Sequence, residues 1–229
     1  MPKLLLPLLI VIGVFPLAMP FDFSSKAPSF LASVRPLAVP IVEVTTTETG
    51  TTVAGAFANF CTTSSINEKK HYWLTAAHCV EGEGQKFYVM GEEVQVIVRD
   101  VGNDIAIVST PQASLRGLPL AKKSPVLGDF VQLGGHPLGW PTISLITGTV
   151  MNLQVNPFPE KWPYEHMIVQ SVVAPGASGS PVVNSRGEIV SVVQIGFAIS
   201  SPYGEPTFGP VMGGSLFSSL EKYRGYWEM

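Results

Sequence analysis

The sequence predicts an all-β fold of the barrel or sandwich type. Short runs rich in β-branched and aromatic residues recur between turn signals from residue 41 onward. The 229 residues include 22 glycines and 20 prolines, scattered along the chain as expected for many turns. Helical periodicity is almost absent before residue 215, which argues against a parallel sheet of alternating strands and helices.

Candidate strands fall into two equal groups on either side of PLAKKSPVLG at 119–128. The first group is PIVEVTT, TTVAGAFAN, KHYWLTA, KFYVM, EVQVIVRD and DIAIVST. The second is DFVQLGG, ISLITGTVMNL, EHMIVQSVV, SPVVN, EIVSVVQIGF and TFGPVMG. Two β units are therefore predicted, at 41–125 and 126–214. Leu216, Leu220 and Tyr223 then recur at helical spacing, which predicts a short amphipathic helix within 215–229.

The N-terminus has the composition of a targeting segment. Lys3 precedes an apolar run at 4–18, which is shorter than the roughly 20 residues of a bilayer-spanning helix. A secretory signal is predicted, with a retained membrane anchor as the alternative, because Pro16 occupies a cleavage-site position that favours a small residue. Residues 19–40 contain four prolines and no clear period, which indicates a linker or pro-region. We expect a secreted or periplasmic protein, or one anchored by residues 4–18.

The chain has two cysteines, Cys61 and Cys79, and export would place them in an oxidising compartment. In an oxidising compartment two thiols generally pair, so a disulfide is predicted. Two separate buried thiols are the alternative. A zinc site with His71 and His78 is a weaker alternative, because the spacing lacks the paired cysteines of structural zinc sites. The net charge is −3 and no block of Lys or Arg is present, so no nucleic-acid partner is expected.

Three polar residues stand in segments that suit catalysis. His78 precedes Cys79 in YWLTAAHCV, so a disulfide at Cys79 would tether the chain that holds it. Asp104 opens the apolar run DIAIVST, where a buried carboxylate needs a partner such as an imidazole N–H. Ser178 lies in the glycine-rich turn of APGASGSPVV. These residue types suggest nucleophilic catalysis by a serine.

The chemistry requires each of these groups. A serine hydroxyl attacks efficiently only when a neutral imidazole removes its proton. The imidazole needs an acceptor on its other nitrogen, which fixes its tautomer and stabilises its charged form. The developing oxyanion needs preorganised donors, and the N–H groups of Gly176 and Ser178 could converge on one point if the turn is tight.

Other readings of these residues are possible. His78 could be a core histidine with no catalytic part. Asp100 and Asp129 compete with Asp104, but their positions at a strand end and a glycine turn favour solvation. Ser171 and Ser180 compete with Ser178, but Ser171 lacks the glycine-rich turn and Ser180 is expected to point into the following strand. His136 and His166 are expected in surface or loop positions.

The segments LTAAHC, NDIAIV and GASGSP, in the order His, Asp, Ser, resemble the signatures of trypsin-like (chymotrypsin-fold) serine proteases. The resemblance spans roughly residues 41–220. GGHPLGWPTISLITGTV and PGASGSPVV are most similar to the HtrA/Deg-like subgroup. The resemblance implies two six-stranded antiparallel β-barrels with the active site between them. It also implies a catalytic triad of His78, Asp104 and Ser178, and an oxyanion hole formed by the N–H groups of Gly176 and Ser178.

The sequence departs from the family pattern in two respects, which bear on activation and on domain content. Ala177 stands where vertebrate-type members carry an Asp that binds the new amino terminus on activation, so that activation route is not expected. The chain ends soon after the protease-like region, so no PDZ domain is expected within it.

The resulting hypothesis is an exported serine endopeptidase that acts on protein or peptide substrates through an acyl-enzyme. No metal or organic cofactor is expected. The resemblance implies a primary pocket with Val172 near its base, and cleavage after small or medium apolar residues because no acidic residue lies between 172 and 178. Gln194, Ile195 and Gly196 are expected to present backbone groups that pair with an extended substrate strand. The alternatives are a catalytically silent, protease-like binding protein and an esterase with the same triad.

Overall fold

The computed structural model describes residues 28–47, 50–156, 159–160, 163–200 and 206–228. The apolar segment 4–18 lies outside the described residues, as do residues 19–27 of the predicted linker. Within the described ranges, no helix is long and apolar enough to cross a membrane.

The first half of the chain forms a seven-stranded antiparallel sheet in the order β5-β4-β1-β2-β3-β7-β6. Its strands are β1 (Val34–Thr47), β2 (Gly50–Asn67), β3 (Tyr72–Thr75), β4 (Tyr88–Val89), β5 (Glu92–Glu93), β6 (Gln95–Asp100) and β7 (Ile105–Ser109). Thr75 at the end of β3 pairs with Ala106 near the start of β7. Because the strands are antiparallel, the segments that follow Thr75 and precede Ala106 emerge at the same end of the sheet.

The second half forms a closed six-stranded barrel in the order β10-β13-β12-β11-β8-β9. Its strands are β8 (Phe130–Gly135), β9 (Ser144–Val155), β10 (His166–Gln170), β11 (Pro181–Val183), β12 (Ile189–Ser200) and β13 (Pro206–Gly214). The predicted C-terminal helix is present as two short pieces, α1 (Phe217–Glu221) and α2 (Gly225–Glu228).

The prediction of an all-β protein with two β units is confirmed, but the first unit is a curled sheet and not a closed six-stranded barrel. Its edge strands β5 and β6 are separated in the chain by Val94 alone. The chain therefore bends from one edge of the sheet to the other at this residue. The chain connects the two edges of the sheet at Val94, but β5 and β6 form no backbone hydrogen bonds with each other.

The folded part begins before residue 41, inside the predicted linker. β1 starts at Val34, and the side chains of Val34 and Leu37 are buried. The prolines at 36 and 40 conceal this strand in the sequence, because proline lacks an N–H donor and is uncommon inside sheets. The strand accommodates them beside a register shift between Leu37 and Ala38.

Neighbouring residues of β3 and β7 face two different cores, as the two-residue period of a strand requires. Leu74, Ile105 and Ile107 belong to a large apolar cluster that also contains the barrel strands β8 to β13. Trp73, on the opposite face, belongs to a smaller cluster inside the first sheet. The large cluster is therefore shared by the two units, and the smaller cluster belongs to the first sheet alone. The central strands of the first sheet are buried on both faces.

Candidate active site

His78 lies in a 3₁₀ helix, Ala77–Val80, directly after β3. Its side chain is 40% exposed, although Ala77 and Cys79 on either side are buried. The predicted disulfide is confirmed: Cys79 is bonded to Cys61 on β2, with 6.0 Å between the Cα atoms. Closing a loop of 18 residues stabilises the fold by about 3 kcal/mol in the chain-entropy description. The disulfide also ties the short helix that presents His78 to the sheet.

The sulfur atoms of this disulfide lie close to the imidazole. Ligand-type atoms of Cys61, His78 and Cys79 fall within 4.8 Å of one another. Zinc is bound by thiolates, however, and both sulfurs are engaged in the disulfide. This cluster does not match the donor set of the zinc alternative.

Asp104 holds His78 at two points. One carboxylate oxygen, Oδ1, accepts the backbone N–H of His78 at 2.9 Å. The other, Oδ2, lies 2.8 Å from Nδ1 of the imidazole. Asp104 is only 3% exposed, so this contact is shielded from water. The pair leaves Nε2 of His78 as the nitrogen available to a substrate or nucleophile.

The competing aspartates have other partners. Asp100 accepts the Tyr223 hydroxyl at 2.6 Å and two N–H groups of Asn103. Asp129 is exposed and accepts the backbone N–H of Val126 at 2.9 Å. Among the residues that the structure describes, Asp104 is therefore the acidic side chain bound to His78.

Ser178 is half-buried in a turn between β10 and β11, and its own backbone carbonyl accepts the N–H of Thr62 at 2.7 Å. Gly176 and Gly179 on either side have φ of +95° and +83°. A Cβ at Gly179 would collide with Thr62 and Thr75 of the first sheet. The turn thus packs against the strand that leads to His78, and glycine is required there.

The turn that carries Ser178 lies next to the segment that leads to His78. A Cβ at Gly179 would lie 3.2 Å from the N atom of Ala76, two residues before His78. No hydrogen bond joins Ser178 Oγ to the imidazole in the described part of the chain. The competing Ser171 donates to the Thr147 carbonyl at 3.1 Å, and Ser180 is 1% exposed.

Two N–H groups of the turn are free to act as donors. The Pro175 carbonyl accepts the N–H of Leu138 at 2.5 Å, so this trans peptide points the N–H of Gly176 the opposite way. Ala177 N–H is bonded to the Ala174 carbonyl at 3.0 Å. Within the described residues, the N–H groups of Gly176 and Ser178 have no acceptor. Unpaired backbone N–H donors in a half-buried turn are uncommon unless a ligand accepts hydrogen bonds from them.

The loop that holds Pro175 is itself fixed. Leu138 adopts a φ of +56°, which is unusual for a side chain with a Cβ and is found where the surroundings enforce it. His136, at the start of the loop, lies in a loop as expected but is only 4% exposed. Its N–H donates to Thr62 Oγ1 at 3.0 Å, and its Nδ1 lies 2.9 Å from the Trp140 carbonyl. Burial lowers the pKa of His136.

The predicted pocket residues differ in their placement. Val172 is 58% exposed, Ile195 is half-buried and Gly196 is exposed. A Cβ at Gly196 would lie 2.9 Å from the Val173 side chain, so the two chain segments expected to line the pocket are adjacent. The expected contact of Gln194 with substrate concerns its backbone, and its side chain is 5% exposed and points into the molecule.

Sequence reasoning missed a group of polar side chains behind Asp104. The Gln194 amide contacts the backbone of Asn103 and Asp104, and it also contacts His166. His166 is fully buried, where a surface or loop position was expected. Tyr164 packs edge-on against His166 with 5.1 Å between ring centroids. No motif signals this group, because its members lie on different strands of the barrel and reach the Asp104 loop only through the packing of the two units.

Comparisons with known proteins agree with this fold. The trypsin-like peptidase domain family matches residues 61–192, more than half of the chain. The chain therefore belongs to the trypsin-like peptidase family.

Within that family the chain is similar to proteins of the Do/HtrA type. It is 33% identical over 134 residues to Protease Do-like 2, chloroplastic, of Arabidopsis thaliana, a match that spans 52% of this chain and 21% of that protein. Solved structures with the same fold include the active form of the Rv3671c protease of M. tuberculosis, with a TM-score of 0.62, 19% identity and coverage of 84% and 79% of the two chains. The HtrA-type protease AlgW with a decapeptide has a TM-score of 0.64, 15% identity and coverage of 85% and 66%.

Proposed function

We propose that this protein is a serine endopeptidase in which Ser178 is the nucleophile, His78 the general base and Asp104 the residue that orients His78. The observation that supports this most directly is the two-point contact of Asp104 with His78, beside a serine turn that has two unpaired N–H groups. Membership of the peptidase family makes peptide-bond hydrolysis the expected reaction. The decapeptide bound by the HtrA-type neighbour AlgW is consistent with a peptide substrate.

In the proposed reaction, Ser178 Oγ attacks the carbonyl carbon of the scissile peptide while Nε2 of His78 takes the hydroxyl proton. His78 then donates that proton to the leaving amine nitrogen, the C–N bond breaks, and an acyl ester on Ser178 remains. A water molecule, deprotonated by His78, hydrolyses the ester and restores the serine. Asp104 stabilises the imidazolium that forms in each half-reaction.

The N–H groups of Gly176 and Ser178 are the proposed oxyanion donors. Both are unpaired within the described residues, and the Leu138–Pro175 hydrogen bond keeps the competing carbonyl turned away. Donors preorganised in this way are each worth roughly 3 kcal/mol of barrier.

Labelling with a fluorophosphonate probe tests the nucleophile. The folded protein should be labelled on Ser178, Ser178→Ala should abolish labelling, and His78→Ala should slow it strongly. Ser180→Ala is the matched control and should still be labelled, because Ser180 is buried two residues away. Equal labelling of Ser178→Ala would refute the assignment. No labelling of the parent protein would favour the silent binding protein, and turnover of esters without peptides would favour the esterase.

We also propose cleavage after small or medium apolar residues. The segments around Val172 and Gly196 lie side by side, and no carboxylate occurs between 172 and 178 to bind a basic side chain. A peptide library should therefore show cuts after residues such as Ala and Val. Val172→Asp should add cleavage after Lys or Arg if this residue borders the pocket. A dominant cut after basic residues in the parent protein would contradict the proposal.

Export is proposed on the apolar run at 4–18 and the Cys61–Cys79 disulfide, since such bonds persist in oxidising compartments. Sequencing the N-terminus of the mature protein from membrane and soluble fractions distinguishes a cleaved signal from an anchor.

A further inference from the structure

The side chain of Gln194 connects the second barrel to the loop that presents Asp104. Its Nε2 donates to the Asn103 carbonyl at 2.6 Å and to the Asp104 carbonyl at 3.1 Å. Gln194 lies on β12, about ninety positions away in the chain. Gln194 is 5% exposed, so water competes little for its amide.

The Asp104 backbone needs such a partner. Asp104 has a φ of +47°, in the left-handed region that costs a residue with a Cβ on the order of 1 kcal/mol or more. This conformation turns the carboxylate toward both the N–H and the imidazole of His78. If Gln194 could not donate, two carbonyls in this loop would lose a buried donor, and the loop could relax.

His166 fixes the orientation of the Gln194 amide. Nδ1 of His166 lies 3.0 Å from Oε1 of Gln194, and the histidine is fully buried. Because the carbonyls of Asn103 and Asp104 can only accept, the NH₂ group of Gln194 faces them and Oε1 faces the barrel. His166 then donates from Nδ1 to Oε1, and this bond holds the amide in that orientation.

Tyr164 approaches the same carboxylate from the loop before β10. Its ring packs on His166, with 5.1 Å between the ring centroids. Burial, followed by the charge of Asp104, raises the pKa of Tyr164. The second barrel thus contacts the backbone of Asp104, and Tyr164 lies near enough for the charge of its carboxylate to be felt.

We propose that Gln194, oriented by His166, is a positioning residue for the His78–Asp104 pair, through which the second barrel sets the geometry of side chains on the first sheet. The inference rests on the proposed function, because the catalytic value of this geometry requires that His78 be the base. Gln194 itself touches neither His78 nor the reacting atoms.

Gln194→Met tests the proposal by keeping the length of the side chain and removing its donor. The rate of fluorophosphonate labelling should fall about 10- to 100-fold, as for small misplacements of a catalytic group. The midpoint of the labelling rate against pH should also move to lower pH, because a loosened Asp104 stabilises the imidazolium less well. In the folded variant, NMR should show weakening of the low-field Nδ1–H resonance of His78, a readout that does not need turnover.

Ser191→Ala is the matched control on the same strand. It removes one buried hydrogen bond, from Ser191 Oγ to the Ser215 carbonyl at 2.8 Å, without touching the Asp104 loop. This variant should lose stability but keep the pH midpoint and the His78 resonance of the parent. A merely structural role for Gln194 would make the two variants alike.

An unchanged pH midpoint and an unchanged His78 resonance in folded Gln194→Met would overturn the proposal. If Gln194→Met does not fold, His166→Phe removes the group that orients the amide, and the same shifts are expected. Should the parent protein resist labelling, the proposed function fails; the His78 resonance then still decides whether Gln194 positions the pair.

Discussion

Thr62 is the residue that joins the turn carrying Ser178 to the first sheet. Its Oγ1 donates to the Gly176 carbonyl at 2.8 Å and accepts the N–H of His136 at 3.0 Å. Its own N–H donates to the Ser178 carbonyl. Thr62 is completely buried, so one hydroxyl satisfies two groups that water does not reach. The geometry of the proposed oxyanion donors therefore depends on Thr62, a β2 residue that takes no part in the proposed reaction.

We expect Thr62→Val to lower the free energy of unfolding by about 1–3 kcal/mol, because it leaves a buried carbonyl and a buried N–H without a partner. Labelling of Ser178 should slow as well, since the Gly176 peptide is no longer fixed. Thr63→Val is the control: it also loses a buried hydrogen bond, to the Leu74 carbonyl at 3.0 Å, but does not contact the turn. Equal labelling rates in the two variants would contradict this account.

At the scale of elements, the antiparallel pairing of β3 with β7 brings His78 and Asp104 together. The short β6 next to them is linked to the C-terminal helices through Asp100, whose Oδ2 accepts the Tyr223 hydroxyl at 2.6 Å. Burial alone would raise the pKa of Asp100, but hydrogen bonds from Tyr223 and Asn103 outweigh it and lower that pKa below its usual value. Ionisation of Asp100 therefore stabilises the folded state.

The sign of this pH dependence can be tested with Tyr223→Phe. A carboxyl whose folded-state pKa is lowered adds stability above its unfolded pKa of about 3.9 and loses it as pH falls through the lower folded value. The variant should be less stable by about 1 kcal/mol at neutral pH, a modest figure because Asp100 is partly exposed. Chemical denaturation at several pH values should show this gap narrowing below about pH 4. Tyr226→Phe, in which the ring still packs on Tyr72, should show no such narrowing.

At the scale of the whole molecule, the two β units share one core. Leu74, Ile105 and Ile107 from the first sheet lie in the same apolar cluster as Val182 and Val192 of the barrel. Separating the units would expose this surface to water, which costs about 25 cal/mol per Å². The cleft that holds the proposed triad is therefore formed by parts that should unfold together.

Leu74→Ala should destabilise the protein by roughly 2–5 kcal/mol and leave a single unfolding transition. Leu37→Ala is the matched comparison, since Leu37 is equally buried but faces only the inner core of the first sheet. Amide hydrogen exchange in β7 and β12 should accelerate together in both variants. Two separate transitions, with the barrel unaffected by Leu74→Ala, would show that the units are independent.

Much of the architecture and of the candidate site could be predicted from local patterns. The strand-rich composition, the pairing of Cys61 with Cys79 and the contact of Asp104 with His78 follow from short segments with strong signatures. The start of β1 at Val34 was wrongly placed in a linker because two prolines interrupt its pattern. The curl of the first sheet was also missed, since two-residue strands such as β4 and β5 have no measurable period.

The sequence by itself determined the class of fold, the disulfide and the residue types available for nucleophilic catalysis, because each depends on a few neighbouring residues. Only the tertiary structure decided that Gln194 and His166 are buried behind Asp104, and that Thr62 holds the turn that carries Ser178. The contacts of Gln194 with Asp104 and of Thr62 with Gly176 join residues up to 114 positions apart, and they form only when the two units dock. Docking is driven by apolar burial, which has no direction, so the polar contacts made across it cannot be deduced from the order of residues.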